Sequence, residues 1–389
     1  MRSPIGREVV IVEAVRTPIG RGRSDVGYYR DVHPNALLGA VYQGLIDRTG
    51  IDAAIVQDVI AGAVGQVGEQ SNNIARNAWL QAGLPVTTPA ATIDRQCGSA
   101  QEAVNFAAAL IAAGVYDVVI GGGVEHMGHV PMGANLADGA HGTPWPPELM
   151  DRYDLIPQGL SAELIAERWE ITRADLDAFG VRSQQLAARA TAEGRFEREL
   201  LPFEVDGQPI VADQGIRPDT NLESLAKLRP AFRPDGRITA ATSSQISDGA
   251  AGVLLMSAEK AAELGLTPRA RIVDHFTAGV DPVIMLTGPI PATRGILERN
   301  DLGIGDLDLI EINEAFASVV LAWERELHPD MDRVNVNGGA LALGHPLGSS
   351  GARLITTLLH ELERSDGELG LVTMCTAGGT GPATLIQRV

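Results

Sequence analysis

The sequence predicts an α/β fold built from two similar halves, and three observations carry that expectation. Short apolar runs alternate with stretches of helical periodicity from the N-terminus onward. A unit of strand, helix and glycine-rich turn recurs late in the chain. The 389 residues are 45% hydrophobic, enough to bury a large core shared among more than one unit.

The elements follow in order. Residues 9–12 read as a first strand, 34–50 as a helix and 59–63 as a second strand. Residues 92–94 read as a strand leading to Cys97, which opens a helix with apolar positions Ala100, Ala103, Val104, Ala107, Leu110 and Ile111. Gly114 caps that helix, and residues 117–120 return as a strand ending in Gly121, Gly122 and Gly123. The later half repeats this grammar: Gly348 to Gly351, a helix with Leu354, Ile355, Leu358, Leu359 and Leu362, a strand at 369–374, then Cys375 and Gly378-Gly379. Between the halves, composition shifts first to Pro, His, Met and Trp and then to charged helix, which marks an insertion. Its stretch 160–191 has helical periodicity, with Thr172 three positions before Asp175 as a capping-box variant. The expected organisation is a first half at 1–123 continued by about 246–268, an insertion at 124–245, and a second half at 269–389.

Charge and composition exclude several classes. Aromatic residues make up only 4%, and the formal charge is −18, so neither base stacking nor a phosphate backbone is favoured as a partner. The most apolar stretch, 105–120, is broken by Gly114 and Asp117, so no membrane span is expected. The N-terminal residues carry Glu8 and lack a cleavage site or an acid-free Arg/Ser stretch, the pattern of a mature cytoplasmic protein. Residues 217–237 contain five basic and three acidic residues, a locally positive segment suited to an anion or, equally, a solvated surface.

The chain has two cysteines, Cys97 and Cys375. Buried filler, one long-range disulfide and reactive thiols are the three readings open at that density. A helix N-terminus at Cys97 favours a thiolate and is expected to lower its pKa. His345, held between Gly344 and Pro346 among five glycines from 338 to 351, sits on a rigid turn. A neutral imidazole there can take a proton from a thiol, or simply be a satisfied structural group. Cys375 precedes Thr376-Ala377-Gly378-Gly379, small residues that leave backbone N–H groups open to an oxyanion. Asn313, with Glu314 behind it, reads either as a helix N-cap or as a group that fixes a water or carbonyl oxygen. His126 and His129 lack further ligands at metal spacing, so no metal is expected. No phosphate-loop pattern fits the glycine runs.

Together these segments resemble the thiolase family, over essentially the whole chain. Four separated motifs occur in family order: the segment around Cys97, Asn313-Glu314-Ala315-Phe316, Gly338-Gly339-Ala340-Leu341-Ala342-Leu343-Gly344-His345-Pro346, and the Cys375 segment before its glycine turn. The resemblance implies a five-layered α-β-α-β-α fold with two mirrored halves and a loop domain at 124–245 that carries coenzyme A. It implies dimers or tetramers, and CoA thioesters as substrates with CoA as co-substrate and no permanently bound cofactor. It further implies that Cys97 is acylated, that His345 deprotonates it, and that Cys375 is the second acid-base group. Asn313 then holds a water, the N–H groups of Cys97 and Ala377 hold the oxyanion, and Arg217 and Ser244 contact CoA. The reaction implied is thiolytic Claisen cleavage of a 3-ketoacyl-CoA.

The chain also departs from the family pattern. Many thiolases have Gly where Ala377 stands, and the segment Gln158-Gly159-Leu160-Ser161-Ala162-Glu163 replaces a His-Met-Gly stretch usual in short-chain biosynthetic members. Segments such as Gly68-Glu69-Gln70-Ser71 and Met331-Asp332-Arg333-Val334 look like actinobacterial thiolases of steroid side-chain degradation. An acetoacetyl-CoA-forming thiolase and a non-catalytic acyl-CoA binder on the same scaffold are the alternatives. A ketoacyl synthase is disfavoured by the second cysteine.

Overall fold

The computed structural model describes residues 6–139 and 141–389, so the first five residues of the expected N-terminal half lie outside it. Its strands are β1 (Val9–Arg16), β2 (Gly20–Arg21), β3 (Asp58–Gly62), β4 (Ala90–Ile93), β5 (Val118–His126), β6 (Phe203–Val205), β7 (Gln208–Ile210), β8 (Ser247–Ser257), β9 (Ala270–Gly279), β10 (Leu309–Ile312), β11 (Leu369–Thr373) and β12 (Thr380–Arg388). Ten of them connect in the order β10-β11-β12-β9-β1-β8-β5-β3-β4, with β2 on β8, while β6 and β7 form a separate hairpin. The seam between β1 and β9 consists of only Val10 opposite Arg271 and Ile11 opposite Ala270. Two blocks therefore meet there, each with parallel strands at its outer edge (β3, β4 and β5; β10 and β11) and antiparallel strands toward the seam.

Helices fill three layers around these blocks. Pro34–Thr49 and Ile74–Gln81 cover the outer face of the first block; Pro289–Arg299 and Ala317–Leu327 lie on the outer side of the second. Ser99–Ala112 and Ser350–Ser365 are sandwiched between the blocks, giving the expected five layers. Each layer contact has its own apolar cluster, the middle one built on Ala100, Ala103, Val104, Ala107, Leu354, Ile355 and Leu358. The central helices are small-sided where they touch, because a Cβ on Gly351 would sit 2.3 Å from the Gln101 nitrogen. Local chemistry sets the ends of the outer helix Pro34–Thr49: the His33 ring accepts the Asn35 N–H at 3.1 Å, Pro34 occupies the first turn, and Gly50 terminates it at φ 66°.

Two boundaries differ from the sequence expectation. Gly121, Gly122 and Gly123 do not end a strand; β5 continues through them to His126. Glycine is required there because a Cβ would lie 2.7 Å from the Val104 Cα, 2.5 Å from the Ala251 oxygen and 1.9 Å from the Gly348 oxygen, respectively. The periodic stretch 160–191 is two helices, Gln158–Arg168 and Arg173–Ala192, broken where Glu170 takes φ 53°. The second starts with the anticipated capping box, Thr172 and Asp175 bonding each other's backbone N–H at 3.2 and 2.9 Å.

Between β5 and β8 the chain leaves the layered body, and a buried cation ties it back. Arg16 on β1 bonds Glu199 at 2.6 Å and Asp213 at 2.7 and 2.9 Å, with all three side chains out of solvent. A guanidinium with both carboxylates satisfied in this way is costly to assemble and more costly to break.

Candidate active site

β4 delivers the chain to Cys97 through a tight turn. The Asp94 carboxylate accepts the Gln96 N–H at 2.6 Å, Gln96 takes φ 50°, and the Ser99 hydroxyl both donates to the Gln96 oxygen at 2.6 Å and accepts the Arg95 N–H at 2.9 Å. A non-glycine residue in left-handed backbone is strained, and the strain persists only where surrounding bonds hold it. Gly98 is the N-cap of Ser99–Ala112, so Cys97 precedes the helix and does not occupy its first turn.

The expected low thiol pKa is not found. Burial pushes the Cys97 thiol up to about 12; the N–H groups of Ala377 and of Cys97 itself oppose that rise, and the charges of Glu125 and Asp94 add to it. Desolvation outweighs the two N–H donors.

His345 lies on the irregular turn after the short helix Ala340–Leu343, where Gly344 takes φ 111°. Its N–H is held by the Ser247 hydroxyl at 3.1 Å and the Gln245 oxygen at 3.3 Å. The ring is oriented by Ser350, whose Oγ lies 2.6 Å from Nδ1 and donates to the Pro346 oxygen at 2.8 Å. With that hydroxyl proton committed, Nδ1 must carry the hydrogen and donate it, leaving the Nε2 lone pair to accept from Asn313 Nδ2 at 3.3 Å. Burial pushes the imidazole down to about 3, and the Arg353 charge pushes in the same direction. At neutral pH the resting site therefore holds a protonated thiol and a neutral imidazole whose Nε2 lone pair is met by the Asn313 amide.

Asn313 directly follows β10, and its N–H bonds the Thr373 oxygen at 3.0 Å, next to the Cys375 segment. It caps no helix: Ala317–Leu327 begins later, with Phe316 as its N-cap. Asn313 is fully buried, yet its Oδ1 has no hydrogen-bond partner among the described residues, an open acceptor beside His345. Glu314 instead serves structure, accepting from the Ser183 hydroxyl at 2.6 Å, Asn335 at 3.0 Å and the Leu341 N–H at 3.1 Å.

Cys375 is completely buried, and burial, then the nearby charge of Cys97, pushes its thiol up. Both cysteines are free, which excludes the disulfide reading. Gly378 and Gly379, both at φ 79°, fold the chain back so that the Thr376 N–H reaches the Thr380 oxygen at 3.0 Å. This turn also presses onto the nucleophile turn, since a Cβ on Gly98 would meet Thr376 Cγ2 at 2.9 Å. Cys97 thus lies beside Cys375 and the Ala377 N–H, and His345 Nε2 bonds Asn313 at 3.3 Å, with the Asn313 N–H on the strand that runs into Cys375.

Arg217 stands apart from that centre. It is exposed, its N–H bonds Gln184 Oε1 at 2.7 Å, and it lines a cavity of about 210 Å³ with Gln184, Gln245 and Leu341. Ser244 is half-buried, with its N–H on the Ala315 oxygen at 2.9 Å. Residues 244–247 connect the two places, because Gln245 lines the cavity and its oxygen receives the His345 N–H. His126 and His129 stack at 3.9 Å and are taken up by Tyr29, Asp248, Glu69 and Arg30; no group of metal-ligating side chains occurs among the described residues. Sequence reasoning passed over Ser350 and Ser247, for which the only signal was their place in small-residue runs beside His345 and at the start of β8. Among the described residues, no helix is long and apolar enough to cross a membrane.

Comparison with known proteins identifies the family. The thiolase N-terminal domain matches residues 9–259 and the thiolase C-terminal domain residues 266–388. The chain is 45% identical to a steroid 3-ketoacyl-CoA thiolase of Mycobacterium tuberculosis over 396 residues, covering 100% of this chain and 96% of that one. It is 46% identical to a 3-ketoacyl-CoA thiolase of Psychrobacter cryohalolentis, covering 98% of each. The crystal structure of a Bacillus anthracis acetyl-CoA acetyltransferase superposes with a TM-score of 0.88 at 40% identity, covering 100% of both chains. The chain belongs to the thiolase family.

Proposed function

We propose that this protein is an acyltransferase that cleaves a 3-ketoacyl-CoA with coenzyme A, giving acetyl-CoA and a shortened acyl-CoA. The observation that carries the reading is the pairing of two unlinked buried thiols, Cys97 and Cys375, in a chain whose buried His345 has Nδ1 held by Ser350 and Nε2 facing only the Asn313 amide. In the first half-reaction His345 takes the Cys97 proton, and the thiolate attacks the 3-keto carbon. The α-β bond breaks, and the departing acetyl-CoA enolate takes its proton from Cys375, leaving an acyl thioester on Cys97. In the second, the Cys375 thiolate accepts the proton of the incoming CoA thiol. The CoA sulfur displaces Cys97, whose thiolate recovers its proton from His345.

The Ala377 and Cys97 N–H groups near the sulfur support a role as oxyanion donors, each worth on the order of 3 kcal/mol in the transition state. The open Oδ1 of Asn313 supports a bound water beside the enolate. Arg217 and Ser244, with the insertion 124–245, are proposed to hold the CoA moiety along the cavity that leads to Gln245. No permanently bound cofactor is invoked, and the working form is proposed to be a cytoplasmic homodimer or homotetramer.

The acyl group is open to direct test. The Mycobacterium tuberculosis relative is named for a steroid 3-ketoacyl-CoA, whereas the Psychrobacter relative is named for 3-ketoacyl-CoA alone. Specificity constants for acetoacetyl-CoA, a long-chain 3-ketoacyl-CoA and a steroid 3-ketoacyl-CoA, with free CoA, decide between them. Cleavage of none of the three, or an intact mass without acyl-Cys97 after mixing with a thioester donor, would remove the enzymatic reading.

A further inference from the structure

The loop that carries His345 belongs to the second half of the chain, yet it is plugged into the first. The Gly348 oxygen lies 1.9 Å from where a Cβ on Gly123 would stand and 2.7 Å from one on Gly62. That same Gly62 position would be 2.5 Å from Ser99 Cβ and 2.6 Å from the Ala100 nitrogen, the first turn of the Cys97 helix. Three glycines therefore bring the backbones of β3, β5 and the His345 loop into contact beside the nucleophile. A carboxylate closes this junction. Glu125, 1% exposed, accepts four hydrogen bonds: from the Val64 N–H at 2.9 Å, the Gly65 N–H at 2.9 Å, Gln70 Nε2 at 2.7 Å and the Gly348 N–H at 2.8 Å.

All four partners are donors, which suits an ionised carboxylate, and none is a cation. Burying an anion without a counter-charge costs several kcal/mol, against which four hydrogen bonds compensate only while the geometry is kept. We propose that Glu125 is a positioning residue that locks the His345 loop of the second half against the Cys97 helix of the first. It acts through the Gly348 N–H, two residues before Ser350, whose hydroxyl orients the His345 ring. The proposal rests on the reading of Cys97 as nucleophile and His345 as its base.

Glu125→Gln replaces one acceptor oxygen by a donor that faces other donors, so the loop must move. Displacement of a catalytic group by about 1 Å lowers turnover on the order of 100-fold. We expect that fall in kcat with little change in KM for CoA, because the Arg217 cavity has no share in the junction. The discriminating measurement is a cycle with His345→Ala, following the rate at which iodoacetamide alkylates Cys97 in the intact protein. Removing the Glu125 charge by itself favours the Cys97 thiolate in either background, so only loss of the His345 geometry can slow alkylation: Glu125→Gln should slow it in the wild type and not in the His345→Ala background. Equal slowing in both backgrounds, or an unchanged kcat in folded Glu125→Gln, overturns the proposal and leaves the function intact. If His345→Ala alone changes neither turnover nor alkylation, it is the underlying reading that fails. Should Glu125→Gln not fold, Gln70→Leu removes one of the four donors and keeps the carboxylate: a lowered kcat that vanishes in the same cycle supports the clasp, and wild-type kcat refutes it.

Discussion

Removing the Ser350 hydroxyl should convert a well-oriented base into a misdirected one. In the native site this oxygen stands 2.6 Å from His345 Nδ1 and gives its own proton to the Pro346 carbonyl, so it can only accept from the ring. Ser350→Ala leaves two outcomes. Either Nδ1–H remains, buried without an acceptor, or the proton moves to Nε2, where the Asn313 amide already points a donor at 3.3 Å. A buried unpaired donor costs about 1–3 kcal/mol, and either route spends that amount against the competent tautomer. Since about 1.4 kcal/mol is tenfold in rate, kcat should fall roughly 5- to 150-fold. Stability to urea should fall by a similar about 1–3 kcal/mol, while KM for CoA stays near the wild-type value. Initial rates of thiolysis at saturating CoA, alongside urea unfolding, measure both. A variant destabilised as expected but with wild-type kcat would refute the claim that Ser350 sets the reactive tautomer.

Other perturbations test separate parts of the structure. Arg16→Met strands Glu199 and Asp213 in the interior and should cost about 3–5 kcal/mol, read from urea midpoints; a loss near zero would mean the insertion is not tied to β1 through this group. Asp248 is buried at the base of the insertion, and burial raises its carboxyl from 3.8 to about 7. The folded state thus holds the proton more tightly than the unfolded chain, so Asp248 costs stability that grows as pH rises from about 4 through 7. Asp248→Asn removes that cost: its melting temperature should exceed wild type at pH 8, and the gap should close toward pH 4. His126 acts oppositely, since burial lowers its pKa to about 4, and because its Nδ1 lies 3.3 Å from Asp248 Oδ1 the same comparison in a His126→Gln background is what isolates Asp248. Arg217→Ala should raise KM for CoA and leave the rate of Cys97 alkylation unchanged, because the side chain is exposed and lines only the outer cavity; a slowed alkylation would count against that separation.

Much of the architecture was legible because it is written in local patterns. The apolar stretch at 9–12, the proline and glycine that bracket the helix Pro34–Thr49, and Thr172 paired with Asp175 each act over a few residues. The positions of Cys97, His345 and Cys375 were legible through their glycine-rich surroundings. What failed was whatever depends on distant parts of the chain. Cys97 was expected to have an acidic thiol because a helix terminus is a local feature; the burial that raises it comes from residues of both halves packed around it, which spacing does not reveal. Gly121 to Gly123 looked like a strand end, since nothing nearby reveals that Val104, Ala251 and Gly348 crowd against them. Glu125 precedes His126 in an apolar glycine-rich strand, and nothing nearby in sequence reveals that its partners lie at Val64, Gly65 and Gln70 and on the loop at Gly348. Asn313 resembled a helix cap because the turn between β10 and Ala317 cannot be measured from spacing alone.

The high proton affinity of Cys97 bears on how the protein survives oxidative conditions. Peroxide and electrophilic metabolites attack the thiolate, and the ladder from sulfenic to irreversible sulfonic acid begins there. A sulfur that holds its hydrogen to about pH 12 and is almost wholly screened from water offers such reagents very little of the reactive anion. The nucleophile is latent between turnovers and is released as His345 takes its proton while the sulfur attacks a bound substrate.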